Sequence, residues 1–137
     1  MDSVRPIDFP KLGDDRGGLI SLETKKLIPF EIKRVYFIYG TRDGVSRGFH
    51  AHKELQQVAL CVSGRCRMLF DDGFERESLW LDSPEKGVLI GSLVWREMID
   101  FSSDCVLLVL ASEHYKEDDY IRDYEEFLTF VKRDVDK

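Results

Sequence analysis

Seven short segments of strand-like composition follow one another along the chain: "LISLE", "KRVYFIYG", "QQVALCVSG", "CRMLFDDG", "ERESLWLD", "GVLIG" and "CVLLVLAS". Between them stand Gly40, Asp43-Gly44, Gly64, Asp72-Gly73, Pro84 and Gly91, residues that end strands and form turns. Many short strands with no helical pattern between them leave an antiparallel sandwich or barrel as the expected all-β architecture. The character changes once. From about Asp118, "DDYIRDYEEFLTFVKR" sets Tyr120, Ile121, Tyr124, Phe127, Leu128 and Val131 at three- and four-residue spacings, which predicts an amphipathic C-terminal helix over 118–133. With no repeat or linker in 137 residues, 1–137 is expected to form a single domain.

A net charge of −6 argues against nucleic-acid and anionic-membrane partners, since both need a basic excess. An anionic ligand would have to meet a local cluster of arginines. The N-terminus lacks the basic and apolar regions of a secretory signal, and no window reaches 18 uninterrupted apolar residues, so a soluble cytoplasmic protein is expected. Cys61, Cys66 and Cys105 are odd in number, sit in apolar or alternating segments and show no CxxC spacing; they are expected to be buried reduced thiols.

Chemistry concentrates in "RGFHAHKELQQ", where His50 and His52 stand two apart and would share one face of a strand. Such a pair suits a metal site or metal-free proton transfer. The pattern His-x-His, four residues, Gln57, six residues, Gly64 resembles the first signature of the cupins, whose metal-binding members carry a glutamate in the place of Gln57 and a later third histidine. Here Arg96, in "GSLVWREM", stands where that histidine would be expected, and His114 lies beyond the last strand. Glutamine is a weak neutral ligand and arginine stays protonated, so the expectation is no metal and no cofactor, with the pair as acid/base equipment. In "EIKRVYFIYG", Arg34 and Tyr36 alternate onto one face; Arg16, Arg47 and the Trp95 ring are further candidates for substrate contact.

"IPFEIKRVYFIYG", "RGFHAHKELQQVALCVSGRCRMLFDDG", "LDSPEKGVLIGSLVWREMIDFSSDCVLLVLAS" and "YKEDDYIRDYEEF" together resemble the sugar 3,4-ketoisomerases that act on dTDP-4-keto-6-deoxyglucose, in order and over about residues 7–130. The resemblance implies a cupin-type jelly roll, a homodimer with exchanged N-terminal strands, and metal-independent transfer of a carbonyl from carbon 4 to carbon 3. It further implies a product destined for 3-amino-3,6-dideoxy sugars of surface polysaccharides, glycans or antibiotics. It puts the family's histidine pair on His50 and His52 and its active-site tyrosine on Tyr36, with substrate contacts from Arg16 and Arg96. His50 is expected as the main base and His52 as its partner, Arg34 and Arg47 at the diphosphate, and Trp95 and Gln57 in the substrate site. Competing readings are a nucleotide-sugar 3,5-epimerase, a non-catalytic sugar-nucleotide-binding cupin and a metal-dependent cupin enzyme.

Overall fold

The computed structural model describes residues 1–136. Strands β1 (Val4–Asp8), β4 (Arg34–Tyr39), β6 (Gln57–Ser63), β9 (Lys86–Ile90) and β11 (Val106–Ala111) form one antiparallel sheet in the order β1-β9-β6-β11-β4. A second, ordered β12-β5-β10-β7-β8, comprises β5 (Arg47–His52), β7 (Cys66–Asp71), β8 (Arg76–Leu81), β10 (Trp95–Ile99) and β12 (Tyr120–Ile121). The short strands β2 (Leu12–Asp14) and β3 (Gly17–Leu19) make a separate hairpin. The chain passes repeatedly from one sheet to the other, and the two sheets face each other as a jelly roll, the all-β fold expected from the punctuated strands.

Alternation builds three apolar clusters. Inward residues such as Ala59, Cys61, Met68, Phe70, Leu107 and Val109 fill the space between the sheets. Val58 and Leu60, on the opposite face of β6, pack with Leu89 and Leu110 beneath Ile28 and Phe30 of the segment that precedes β4. With both faces covered, β6 reads as a continuous buried run from Gln57 to Cys61. The third cluster lies outside the second sheet, where Ala51, Trp95 and Ile121 meet Phe127 and Val131 of the C-terminal helix. The three cysteines are buried free thiols within the inter-sheet core.

The helix α1 spans Tyr124–Val135, beginning six residues later than the apolar spacing predicts. Tyr120 and Ile121 instead pair with His52 and Ala51 as strand β12, after a single 3-10 turn at Glu117–Asp119. Helix geometry becomes favourable at Asp123, whose side chain accepts a hydrogen bond from the Glu126 N–H and caps the first turn. Glu125 and Glu126 at the start and Lys132 and Arg133 at the end complement the helix dipole. No helix among the described residues is long and apolar enough to cross a membrane.

Candidate active site

Between the sheets, at the end where β5, β10 and β12 meet β4, lies a cavity of about 270 Å3 lined by Arg34, Tyr36, Arg47, His50, Tyr120 and Arg122. Each sheet contributes by alternation. On β4, Arg34, Tyr36 and Ile38 turn inward while Val35, Phe37 and Tyr39 face out. On β5, Gly48 has φ +92° where the register with β10 shifts between Arg96 and Glu97, and this bulge sets His50 directly across from Arg96.

The two histidines differ in surroundings. His50 lines the cavity, whereas His52 is fully buried behind it, their rings edge to face with centroids 5.0 Å apart. Tyr120 packs on both rings, at 5.1 Å from His50 and 4.4 Å from His52. His52 Nδ1 lies 3.0 Å from Asp119 Oδ2, and the other Asp119 oxygen accepts the Glu54 N–H, so the carboxylate is held from two sides. A carboxylate only accepts, so Nδ1 carries the proton and Nε2, buried and without a hydrogen-bond partner, keeps its lone pair. Burial, reinforced by the nearby Arg96 cation, pushes His50 down to about 4 and His52 to about 2. Both are therefore neutral imidazoles at neutral pH, the form that can take a proton.

Arg96 is 1% exposed and crosses from the second sheet towards the first. Its Nε and Nη2 donate to the Val94 carbonyl at 3.3 and 2.9 Å, and Nη1 donates to Gln57 Oε1. Burial lowers its pKa to about 10, which leaves it a cation at neutral pH. Gln57 Nε2 then donates to the Tyr36 hydroxyl at 3.0 Å. Burial raises the Tyr36 pKa, with Arg96, the Gln57 hydrogen bond and Arg34 pulling the other way. Arg34 stacks between Tyr36 and Tyr115, 5.3 and 5.7 Å from their ring centres, and its buried Nε and Nη2 have no partner among the described residues.

Three more of the expected site residues do not line this cavity. Trp95 does not reach the cavity: adjacent to Arg96 on β10, it projects from the opposite face, where its ring packs edge-on against Tyr124 at 5.4 Å and its indole donates to Glu97. Gln57 is in the site but 2% exposed and occupied on both ends of its amide, so it supports Tyr36 and Arg96 rather than lining the cavity. Arg16 sits in the β2–β3 hairpin, its side chain 87% exposed and paired with Asp14, away from the cavity of its own chain. Conversely, Asp119, Tyr120 and Arg122 belong to the site and escaped the sequence reading. Tyr120 and Arg122 both line the cavity while Ile121 packs outward, an alternation hidden because the same residues also fit a helical spacing.

A larger groove, about 550 Å3, runs along the outer face of the second sheet past Phe49, Trp95 and Tyr124. It contains no histidine, and its Arg76 and Asp71 pair with each other, so the proton-transfer groups belong to the smaller cavity. That cavity does not offer a metal a good donor set. Where a third ligand would stand, the Arg96 cation holds the Gln57 oxygen.

Residues 2–132 match the family model described as FdtA: WxcM-like, C-terminal. The TDP-4-oxo-6-deoxy-alpha-D-glucose-3,4-oxoisomerase of Aneurinibacillus thermoaerophilus is 51% identical over 127 residues, covering 93% of this chain and 91% of that one. Among solved structures, a 3,4-ketoisomerase from Helicobacter canadensis superposes with a TM-score of 0.91 at 49% identity, over 94% of this chain and 97% of the other. A histidine-to-asparagine mutant of the 3,4-ketoisomerase QdtA from Thermoanaerobacterium thermosaccharolyticum, in complex with TDP-4-keto-6-deoxyglucose, superposes with a TM-score of 0.94 at 43% identity, over 97% and 96%. A chain this similar throughout, with a buried histidine pair, a partly buried phenol and fixed cations at its cavity, belongs to the FdtA (WxcM-like, C-terminal) family, that of the sugar 3,4-ketoisomerases.

Proposed function

We propose that the chain converts dTDP-4-keto-6-deoxy-D-glucose to a dTDP-3-keto-6-deoxyhexose, without a metal, to supply the synthesis of 3-amino-3,6-dideoxy sugars. The observation that carries this reading is the pairing of a neutral, cavity-lining His50 with a Tyr36 hydroxyl whose hydrogen is uncommitted. His50 removes the proton from carbon 3 and becomes an imidazolium. The electron pair forms the double bond between carbons 3 and 4, and the carbonyl π pair moves to the oxygen on carbon 4, which takes the Tyr36 proton to give an enediol. The hydroxyl on carbon 3 then returns a proton to the tyrosinate as its carbonyl forms, and carbon 4 takes the proton held by His50. Base and phenol end as they began.

Negative charge builds on the oxygens of carbons 3 and 4 and, transiently, on Tyr36. Arg34 and the buried Arg96 supply fixed positive charge beside them, and a well-placed donor of this kind is worth on the order of 3 kcal/mol in such a transition state. Arg47, at the cavity rim, serves the diphosphate, since a planar guanidinium donates paired hydrogen bonds to phosphate, whereas Arg122 beside it gives its fork to Glu117. His52, held by Asp119, orients His50 and the Tyr120 ring. The protein works in the cytoplasm as a homodimer with exchanged N-terminal strands, an arrangement in which the exposed Arg16 reaches the partner's site.

Incubation with dTDP-4-keto-6-deoxyglucose in deuterated water, followed by NMR, tests the reaction. The carbonyl is expected at carbon 3, with activity unchanged by a chelator. A carbonyl that stays at carbon 4 overturns the assignment, and deuterium at carbon 5 identifies an epimerase instead; activity that vanishes on chelation and returns with iron or zinc overturns the metal-free mechanism.

A further inference from the structure

We infer that Gln57 is a positioning residue that holds the Tyr36 hydroxyl as a donor towards the cavity, so that a carboxylate here stops the reaction although it pairs better with Arg96. The inference rests on the catalytic role of Tyr36 proposed above. Hydrogen-bond polarity along the buried chain Arg96–Gln57–Tyr36 runs in one direction only. A guanidinium donates and never accepts, so the Gln57 atom facing Arg96 Nη1 must be its carbonyl oxygen. The amide nitrogen is thereby turned to Tyr36, 3.0 Å away, and an amide nitrogen only donates. Tyr36 must then accept, and its own hydrogen is left for a ligand in the cavity it lines. When Tyr36 has lent that proton, the same Gln57 N–H remains to stabilise the phenolate.

Glutamate at the same place has nearly the same shape and reverses the second link. Beside Arg96 it is ionised, with one oxygen accepting from the guanidinium. The other oxygen has no hydrogen to give, so Tyr36 turns its O–H onto the carboxylate. The proton needed by the substrate is then committed, and ionisation of Tyr36 is opposed by a neighbouring negative charge. Fold stability does not fall with it, because the cost of burying the carboxylate is offset by its pairing with the Arg96 cation. A position that trades the stronger ion pair for a neutral amide is accounted for by the direction of the hydrogen bond.

The variants Gln57→Glu, Tyr36→Phe and their combination, measured for kcat, KM, Tm and the tyrosine ring-carbon NMR titration of Tyr36, test this. For Gln57→Glu the expected result is a Tm no lower than that of the parent, KM within about threefold and kcat lower by on the order of 100-fold. Tyr36 should titrate at a higher pH than in the parent, and the double variant should be no slower than Tyr36→Phe alone. Parent-like kcat in Gln57→Glu with a slow Tyr36→Phe overturns the inference while leaving the role of Tyr36 standing. Parent-like kcat in Tyr36→Phe overturns that role itself. A loss of kcat accompanied by a large fall in Tm and an unmoved Tyr36 titration gives Gln57 a structural part alone and also overturns the inference.

Discussion

His50 and His52 are chemically the same residue, two positions apart on one strand, and the fold gives them different work. His50 borders the cavity; His52 lies behind it with one nitrogen fixed by Asp119. The shift at His50 has a kinetic consequence. Its conjugate acid is held at about 4, so the neutral base persists well below the usual histidine range, and kcat/KM should fall with falling pH only near 4. An acid limb centred near 6.5 in the kcat/KM profile, which reports the free enzyme, would show that His50 is not the base. The sequence makes the pair and Tyr36 visible as candidates, but Asp119 lies 67 residues from His52 and carries no local signal. Only the pairing of β12 with β5, Tyr120 against His52, brings that carboxylate within reach.

At the scale of elements, β5 owes its aim to a backbone irregularity. Gly48 is in the left-handed region, and a Cβ there would lie 2.9 Å from the Arg96 carbonyl oxygen and 3.2 Å from Glu97 Cα, so the bulge closes only around glycine. Gly48→Ala is expected to lower stability by about 1–3 kcal/mol and to lower kcat further than the parallel loss of folded protein explains, since His50 moves with the bulge. Gly44→Ala is the control: it shares a positive φ but has no neighbour within 4 Å and lies outside the cavity, so it should lower Tm with kcat intact. Equal kcat in the two folded variants would refute the role given to the bulge. The turn glycines and alternating strands were legible from composition and period. The start of α1 was not, because Tyr120 and Ile121 satisfy a helical spacing and a strand alternation equally, and the choice falls to their partners on β5.

At the scale of the whole molecule, the first sheet ends in an edge strand that presents Val35, Phe37 and Tyr39 to solvent, the last 70% exposed. The β2–β3 hairpin adds Leu12 and Leu19 to the exposed apolar surface. Unpaired edges and apolar patches of this kind are normally covered, and the proposed cover is a second copy of the chain. Light scattering at micromolar concentration should give twice the 16.0 kDa of one chain, and Arg16→Ala should raise KM although Arg16 is remote from its own chain's cavity. A fully active monomer, or an Arg16→Ala variant with unchanged KM, would count against the exchanged dimer.

The order of residues along the chain was enough to determine the class of fold and the kind of chemistry. Hydrophobic alternation is a local property, and the residue types at His50, His52, Tyr36 and Arg96 limit which proton-transfer and charge chemistry the chain can offer. What each group does was decided by the tertiary structure. Trp95 and Arg96 are neighbours in sequence, yet one packs under the helix and the other spans the core, because successive side chains leave a strand on opposite faces and the sheet has different layers on its two sides. Gln57 reads in sequence as a missing metal ligand. In the folded protein it is the link that passes donor polarity from Arg96 to Tyr36, a property of three side chains from two sheets that no single segment contains.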